Sequence, residues 1–350
     1  MPKQSGVHVP TLQDVAARSN VSTATVSRCL NKPDSVRAQT RERVEQAIAE
    51  LGYTPNFGAR ALASNRTGTI GIIIPTMDNA IFAHGIQAME ELLSEQDITL
   101  LVASSGYSAE REEQKVRALV SRGVDGLALI GLEHSGAMYD FLLSREVPFV
   151  LLWNYAEDSR YPCIGFDNRN AAAIITQRVL DAGHRRIAMI AGRQKGNDRA
   201  TQRVEGVVAK LAEHGLSLLN GGAPIEVEYT LYNGDTACIT LMSGSDQPTA
   251  IICGNDVLAA GAMRGVRSLG LRVPEDVSIV GFDDIDLASA LEPALTTVHM
   301  PHRRMGRAAV RMLQQLPELD IDEARHCFET WVVERGSLAT IGDPVPRMPR

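Results

Sequence analysis

From Thr69 onward one pattern repeats: a short, β-branched apolar run, then a stretch with helical periodicity. The runs are "TIGIIIP", "ITLLVAS", "VDGLALIG", "PFVLLW", "RIAMIAG", "TAIICG" and "VSIVGF", and roughly 10–20 residues of helical pattern separate them, as in parallel strands joined by crossover helices. Continuous apolar runs mark strands with helices on both faces of the sheet. Seven of them fit two sheets better than one, and 350 residues exceed a single ordinary core. Two lobes are expected, one from residues 67–166 with 299–326 and one from 167–298 with 327–340, with crossovers in "CIGFDN" and "ALTTVHMP".

The first residues are of another kind. In "TLQDVAARSNVSTATVSRCLN", Thr11 and Asp14 have capping-box spacing, and Leu12, Val15 and Ala16 form one side of a short helix beginning at Leu12. Ser19-Asn20 breaks the pattern, Val21 plugs the turn, and Ser22 caps a second helix with Val26 and Leu30 on its inner side. The opposite side presents Thr23, Ala24, Ser27 and Arg28. Small residues let a backbone sit deep in a major groove, where an arginine pairs bidentately with guanine. A third helix follows in "RAQTRERVEQAIAELGY", with Val44, Ile48 and Leu51 on one face and Gly52 as its stop. Taken alone, this is either a helix-turn-helix reader or a small amphipathic helical hairpin.

Charge separates the same two regions. Residues 1–66 hold nine Lys/Arg against five Asp/Glu, and the remainder 26 against 37, a basic end on an acidic body, as nucleic-acid binding requires. Cys29, Cys163, Cys238, Cys253 and Cys327 are scattered and never spaced CxxC, which indicates neither a disulfide framework nor a zinc site. No signal-peptide core and no run near the ~18 apolar residues of a membrane helix is seen, so a soluble cytoplasmic protein without membrane association is expected.

Three successive blocks, the opening segment, "TRERVEQAIAELGYTPN" and "ARALASNRTGTIGIIIP", resemble the start of LacI/GalR-family transcriptional repressors. The resemblance implies an N-terminal all-α helix-turn-helix domain (residues 1–55), a hinge helix and linker (56–66), an α/β core of two doubly wound parallel-sheet lobes like periplasmic binding proteins (67–340), and a tail (341–350). It implies DNA contacts at Thr11, Ser22, Thr23, Ala24, Ser27, Arg28, Asn31, Asn56, Ala59 and Leu62, the last wedging into the minor groove at the centre of a palindromic operator. Physics supports a conditional hinge, since a helix of about eight residues is too short to stand alone in water; the alternative is a plain flexible linker through "ASNRTG". Two departures stand out: Gly58 weakens the hinge helix, and Arg37 replaces the usual serine cap of helix three.

Open parallel sheets bind ligands at the carboxyl ends of their strands, and two lobes place those ends around one cleft. The strand-end candidates are Asp78, Asn79 and Phe82, then Arg199 and Arg203, then Asn255 and Asp256, then Asp283. Such a set suits a polyhydroxy ligand, and the family comparison carries ligand contact onto Asn79, Phe82, Arg203, Asn255 and Asp283. Asp256 and Asn255 have a competing use as helix caps, and Phe82 as a core aromatic. Trp153, followed by Asn154 where relatives often carry aspartate, either stacks on a sugar or packs between the lobes. Arg199, Arg203 and the missing aspartate also suit a sugar acid or sugar phosphate, and "SGYSAEREEQKVRALVSRGVDGLALIG" and "IGFDNRNAA" are similar to the gluconate-repressor branch.

No GxGxxG opens a helix after a strand, no GxxxxGKS/T, HExxH or GxSxG occurs, and the histidines have no metal-ligand spacing. An enzyme, a cofactor and a metal are not expected. The partners expected are palindromic operator DNA, a sugar or sugar-acid effector, and a second copy of the chain, since two readers on a dyad match a palindrome. Without leucine heptads in the tail, a dimer is the minimal unit. A cytoplasmic sugar sensor or a sugar-processing enzyme is the alternative.

Overall fold

The computed structural model describes residues 9–54, 66–78 and 80–341. The chain forms two compact units, Met1–Gly68 and Thr69–Arg350.

In the first unit, α1 (Leu12–Ser19) starts at a full capping box: Asp14 N donates to Thr11 Oγ1 (3.3 Å), and Thr11 N donates to Asp14 Oδ2 (2.7 Å). Asn20, left-handed at φ 53°, ends it and turns the chain into α2 (Thr23–Asn31), which Ser22 caps through Thr25 N (3.2 Å). Arg37 precedes α3 (Ala38–Leu51) without a side-chain cap, and Gly52 closes it at φ 62°. Val15, Ala16, Val26, Val44 and Ala47 form the core with Cys29 and Tyr53, and Leu12, Val21, Leu30, Ile48 and Leu51 pack around them. Helix entry was readable because a cap and its partner lie three residues apart.

The second unit holds two parallel sheets. The first contains β1 (Thr69–Ile74), β2 (Thr99–Ser104), β3 (Gly126–Ile130), β4 (Phe149–Leu152), β5 (Cys163–Gly165) and β11 (Arg325–Cys327), in the order β11-β5-β4-β3-β1-β2. Its helices are α4 (Ala80–Ser94), α5 (Ala109–Ser121), α6 (Gly136–Ser144) and α12 (His302–Gln315). The second contains β6 (Ile187–Gly192), β7 (Ile225–Val227), β8 (Ala250–Cys253) and β9 (Ser278–Val280), in the order β7-β6-β8-β9. It carries α7 (Asn168–Asp181), α8 (Asp198–Glu213), α9 (Leu231–Met242) and α10 (Asp256–Ser268), and a short α11 (Asp286–Ala290) follows. An antiparallel pair, β10 (Thr297–His299) with β12 (Trp331–Val333), forms a separate two-stranded sheet. Helices α9 and α10 approach so closely that a Cβ on Gly261 would meet the Leu231 carbonyl oxygen at 2.3 Å.

All seven expected strands form. "CIGFDN" and "ALTTVHMP" are more than crossovers, because they also contribute β5 and β10. These, with β7, β11 and β12, span three residues each, too few for alternation to appear in a sequence. No helix among the described residues is long and apolar enough to cross a membrane.

Candidate functional site

The carboxyl ends of both sheets meet around an inner chamber bounded by Phe82, Tyr107, Arg199, Arg203, Asn255 and Asp283, with Ile81, Asn197 and Tyr229 completing its wall. Its free volume is about 10 Å³. Five sequence candidates converge here: Phe82 from the first turn of α4, Arg199 and Arg203 from α8, Asn255 from the end of β8, and Asp283 after β9.

Arg203 organises the floor. Its Nη1 donates to the Gly254 carbonyl (2.7 Å), Nε to Asn168 Oδ1 (3.0 Å) and Nη2 to Asp283 Oδ1 (3.2 Å), while its guanidinium carbon lies 3.8 Å from the centre of the Phe282 ring. Arg203 and Asp283 are buried. Burial pushes the Asp283 carboxyl up to about 6, even though Arg203 pulls it down. Asp283 Oδ2 has no hydrogen-bond partner among the described residues, and neither has Asn255 Nδ2, whose own Oδ1 caps α10 through Leu258 N (2.9 Å). Asn255 therefore serves as the helix cap while its amide nitrogen faces the chamber without a partner. Buried polar atoms are rarely left unmade, and here one acceptor and one donor share a chamber.

Arg199 is already committed. Its Nη1 donates to Asp198 Oδ1 (2.8 Å), and Asp198 Oδ2 accepts from Leu132 N (2.6 Å) and Asn154 Nδ2 (2.8 Å). Asp198 belongs to the second lobe, whereas Leu132 and Asn154 lie just past β3 and β4 of the first. Burial alone would raise the Asp198 carboxyl, but Arg199 and these donors outweigh it and hold the group below the usual range.

Trp153 requires a correction, because it does not reach the chamber. It is fully buried at φ 63°, stands edge-on to Phe82 with ring centres 5.5 Å apart, and donates from Nε1 to His302 Nδ1 (3.2 Å). Indole N–H only donates, so His302 Nδ1 is the acceptor and Nε2 carries the hydrogen toward the Asp283 carbonyl (3.2 Å). Burial holds that imidazole down to about 3, hence neutral. Trp153 thus packs between α4 and α12 inside one lobe rather than between two. Phe82 both packs and faces the chamber.

Asp78 lines a separate outer chamber of about 420 Å³, and Asn79 lies outside the described residues. Sequence reading missed Tyr107, Asn197 and Tyr229, which the two chambers share. Tyr229 follows a three-residue strand and Tyr107 sits in a turn at φ 58°, where no periodicity marks a position.

Asp256 does not cap α10. Its Oδ2 accepts from Ile285 N (2.9 Å) and its Oδ1 from the Thr297 hydroxyl (2.6 Å), and burial, with the Asp283 charge, pushes it up to about 8. A carboxyl raised above its unfolded value holds its proton in the folded state, so its contribution is complete below about 4 and is lost as pH rises through about 8. Asp256→Asn, which keeps both hydrogen-bond positions, is expected to flatten the decline in denaturant midpoint between pH 4 and 8. An unchanged slope would refute this.

On α2, Ser22, Thr23, Ala24 and Arg28 are exposed and Ser27 half-buried, opposite the buried Val26 and Cys29. Thr11 is exposed, with its hydroxyl engaged in the cap. The Asn31 side chain, and Asn56, Ala59 and Leu62 altogether, lie outside the described residues. Among the described residues no His, Cys, Asp and Glu cluster is arranged to hold a metal ion.

Residues 11–56 match the model of bacterial regulatory proteins of the lacI family, and residues 176–338 that of the periplasmic binding protein-like domain. Catabolite control protein A of Priestia megaterium is 32% identical over 303 residues, covering 87% of this chain and 91% of its own. The ribose operon repressor of Haemophilus influenzae is 33% identical over 306 residues, with the same coverage. Among solved structures, a LacI-family transcriptional regulator from Silicibacter pomeroyi superposes with TM-score 0.85 at 29% identity, covering 94% of this chain and 99% of its own. The lac repressor dimer bound to operator and an anti-inducer gives TM-score 0.83 at 27% identity, covering 95% and 100%.

Proposed function

The chain belongs to the LacI family of bacterial regulatory proteins, and from that premise we propose that it is a homodimeric transcriptional repressor whose hold on a palindromic operator is set by a neutral, sugar-like effector between the core lobes. Residues 1–55 act as the reader and 67–340 as the effector core. Arg28 reads a base edge, and Thr23, Ala24 and Ser27 let α2 lie close to the groove.

The observation that carries the effector reading is the unpaired couple, Asp283 Oδ2 and Asn255 Nδ2. A sugar hydroxyl both donates and accepts, so it satisfies the two together. Charge favours a neutral sugar over a sugar acid such as gluconate. Each arginine of the chamber already has a carboxylate, Asp198 for Arg199 and Asp283 for Arg203, so an added anion must compete with a buried acid for its partner. The effector acts by its differential affinity for the lobe arrangements, typically worth roughly 1–3 kcal/mol.

The test is binding selection from a random duplex pool, followed by titration at two salt concentrations. A palindrome should be recovered and bound roughly 10³-fold or more over random duplex, weakening steeply with salt. Equal affinity for all duplexes at physiological salt, or turnover of sugars without any DNA affinity, would sink the proposal.

A further inference from the structure

Asp198 is a carboxylate with no spare capacity. Its Oδ1 accepts from Arg199 N (2.8 Å) and Arg199 Nη1 (2.8 Å), and its Oδ2 from Leu132 N (2.6 Å) and Asn154 Nδ2 (2.8 Å). A carboxylate offers about four lone-pair positions, and here the second lobe fills two and the first lobe the other two. Asp198 and Arg199 are both buried.

The receiving side is shaped for this pair. Gly131 follows β3 at φ 97°, and a Cβ there would meet Arg199 Nη1 at 2.5 Å and Asp198 Oδ1 at 2.7 Å. The turn is itself fixed: Tyr139 Oη donates to the Leu132 carbonyl (2.8 Å), and His134 spans the Gly131 carbonyl (3.2 Å) and the Glu112 carboxylate (2.8 Å). Asn154 is held by its Oδ1, which accepts from Tyr155 N (2.9 Å) and Asn168 Nδ2 (3.4 Å). Asn168 in turn accepts from Arg203 Nε, so hydrogen bonds run unbroken from Asp198 to the chamber floor.

We propose that Asp198 and Arg199 are the plug, and Gly131, Leu132 and Asn154 the socket, of a latch that holds the two lobes together and so sets the operator affinity of the chain before any effector binds. The joining of the lobes follows from the geometry alone; its effect on the operator rests on the repressor reading above. Every bond of the latch is between protein groups, so it favours the joined arrangement without a contribution from a ligand. Separation exchanges two charge-assisted bonds in a dry site for bonds to water, and that difference biases the equilibrium between lobe arrangements.

The experiment is hydrogen exchange on the full chain, without sugar or DNA, read at residues 106–107 and 196–197. These face one another across the cleft, where a Cβ on Gly196 would meet the Tyr107 carbonyl oxygen at 3.2 Å. Asp198→Ala should speed exchange there about tenfold or more, while β6 and β8, the central strands of the second sheet, keep the parent rate. Gly131→Ala should do the same, since it leaves both plug residues intact and wedges the socket. Asp198→Asn should also loosen the cleft, and adding Asn154→Asp should restore most of the protection, because donor and acceptor then trade places across the lobes. Asp198→Ala and Gly131→Ala should further shift operator affinity without effector, in one common direction and by about fivefold or more. Parent-like exchange at the cleft in both variants, or faster exchange throughout the second lobe, would overturn the latch. A loosened cleft with unchanged operator affinity would overturn its control of DNA binding. A parent chain with no operator preference would instead overturn the repressor reading, and the exchange rates would still decide whether the lobes are latched.

Discussion

Arg203→Ala is expected to abolish the response to effector and to lower the unfolding free energy of the core by about 3–5 kcal/mol near pH 8. The change removes three hydrogen bonds and strands Asp283, which is wholly buried. The penalty should depend on pH. In the parent the Asp283 carboxyl is already raised to about 6, so its contribution is present below the unfolded value and lost as pH rises through 6. Without the guanidinium the carboxyl rises further and takes a proton instead of a charge, so the gap between variant and parent should narrow at pH 5 and widen at pH 8. Operator binding should survive, since the reader is a separate unit. Denaturant midpoints at the two pH values, with effector titration, check this; equal midpoints with intact effector affinity would remove Arg203 from the site. Arg203→Lys should fall between, because an ammonium cannot reproduce the planar fork.

Arg28→Ala is expected to cost about 1–3 kcal/mol of discrimination at one base position in each half-site, a loss of roughly 5–150-fold in preference there. Arg28 is exposed on the face of α2 opposite the core residues Val26 and Cys29, so its removal should leave the unit folded. Binding selection with the variant reads the effect directly. The position paired with Arg28 should become degenerate and the others stay as they were; an unchanged consensus would reduce Arg28 to a phosphate contact.

What the sequence disclosed follows from the range of the interactions. Caps at Thr11 and Ser22 and the long apolar strands were legible because their signals span a few neighbouring residues. The strand-end rule brought Arg199, Arg203, Asn255 and Asp283 to one place without any contact being known. It failed at Trp153, which also ends a strand but whose left-handed backbone turns the indole into the core beneath Phe82. Asp198 escaped notice although it precedes a named candidate, since an acid in a helix's first turn looks like an ordinary partner for the helix dipole. Only the fold brings Leu132 and Asn154 to it.

That bridging carboxylate has a corollary for ligand entry. Charge-assisted bonds are worth roughly 1.5–3 kcal/mol apiece, and Asp198 makes its contacts across the route by which the two halves separate. The inner chamber has only about 10 Å³ of free volume, so the proposed ring has no room there while the clasp is made. On the proposed effector reading, entry of a ligand into the inner chamber therefore requires the Asp198 contacts to Leu132 and Asn154 to release.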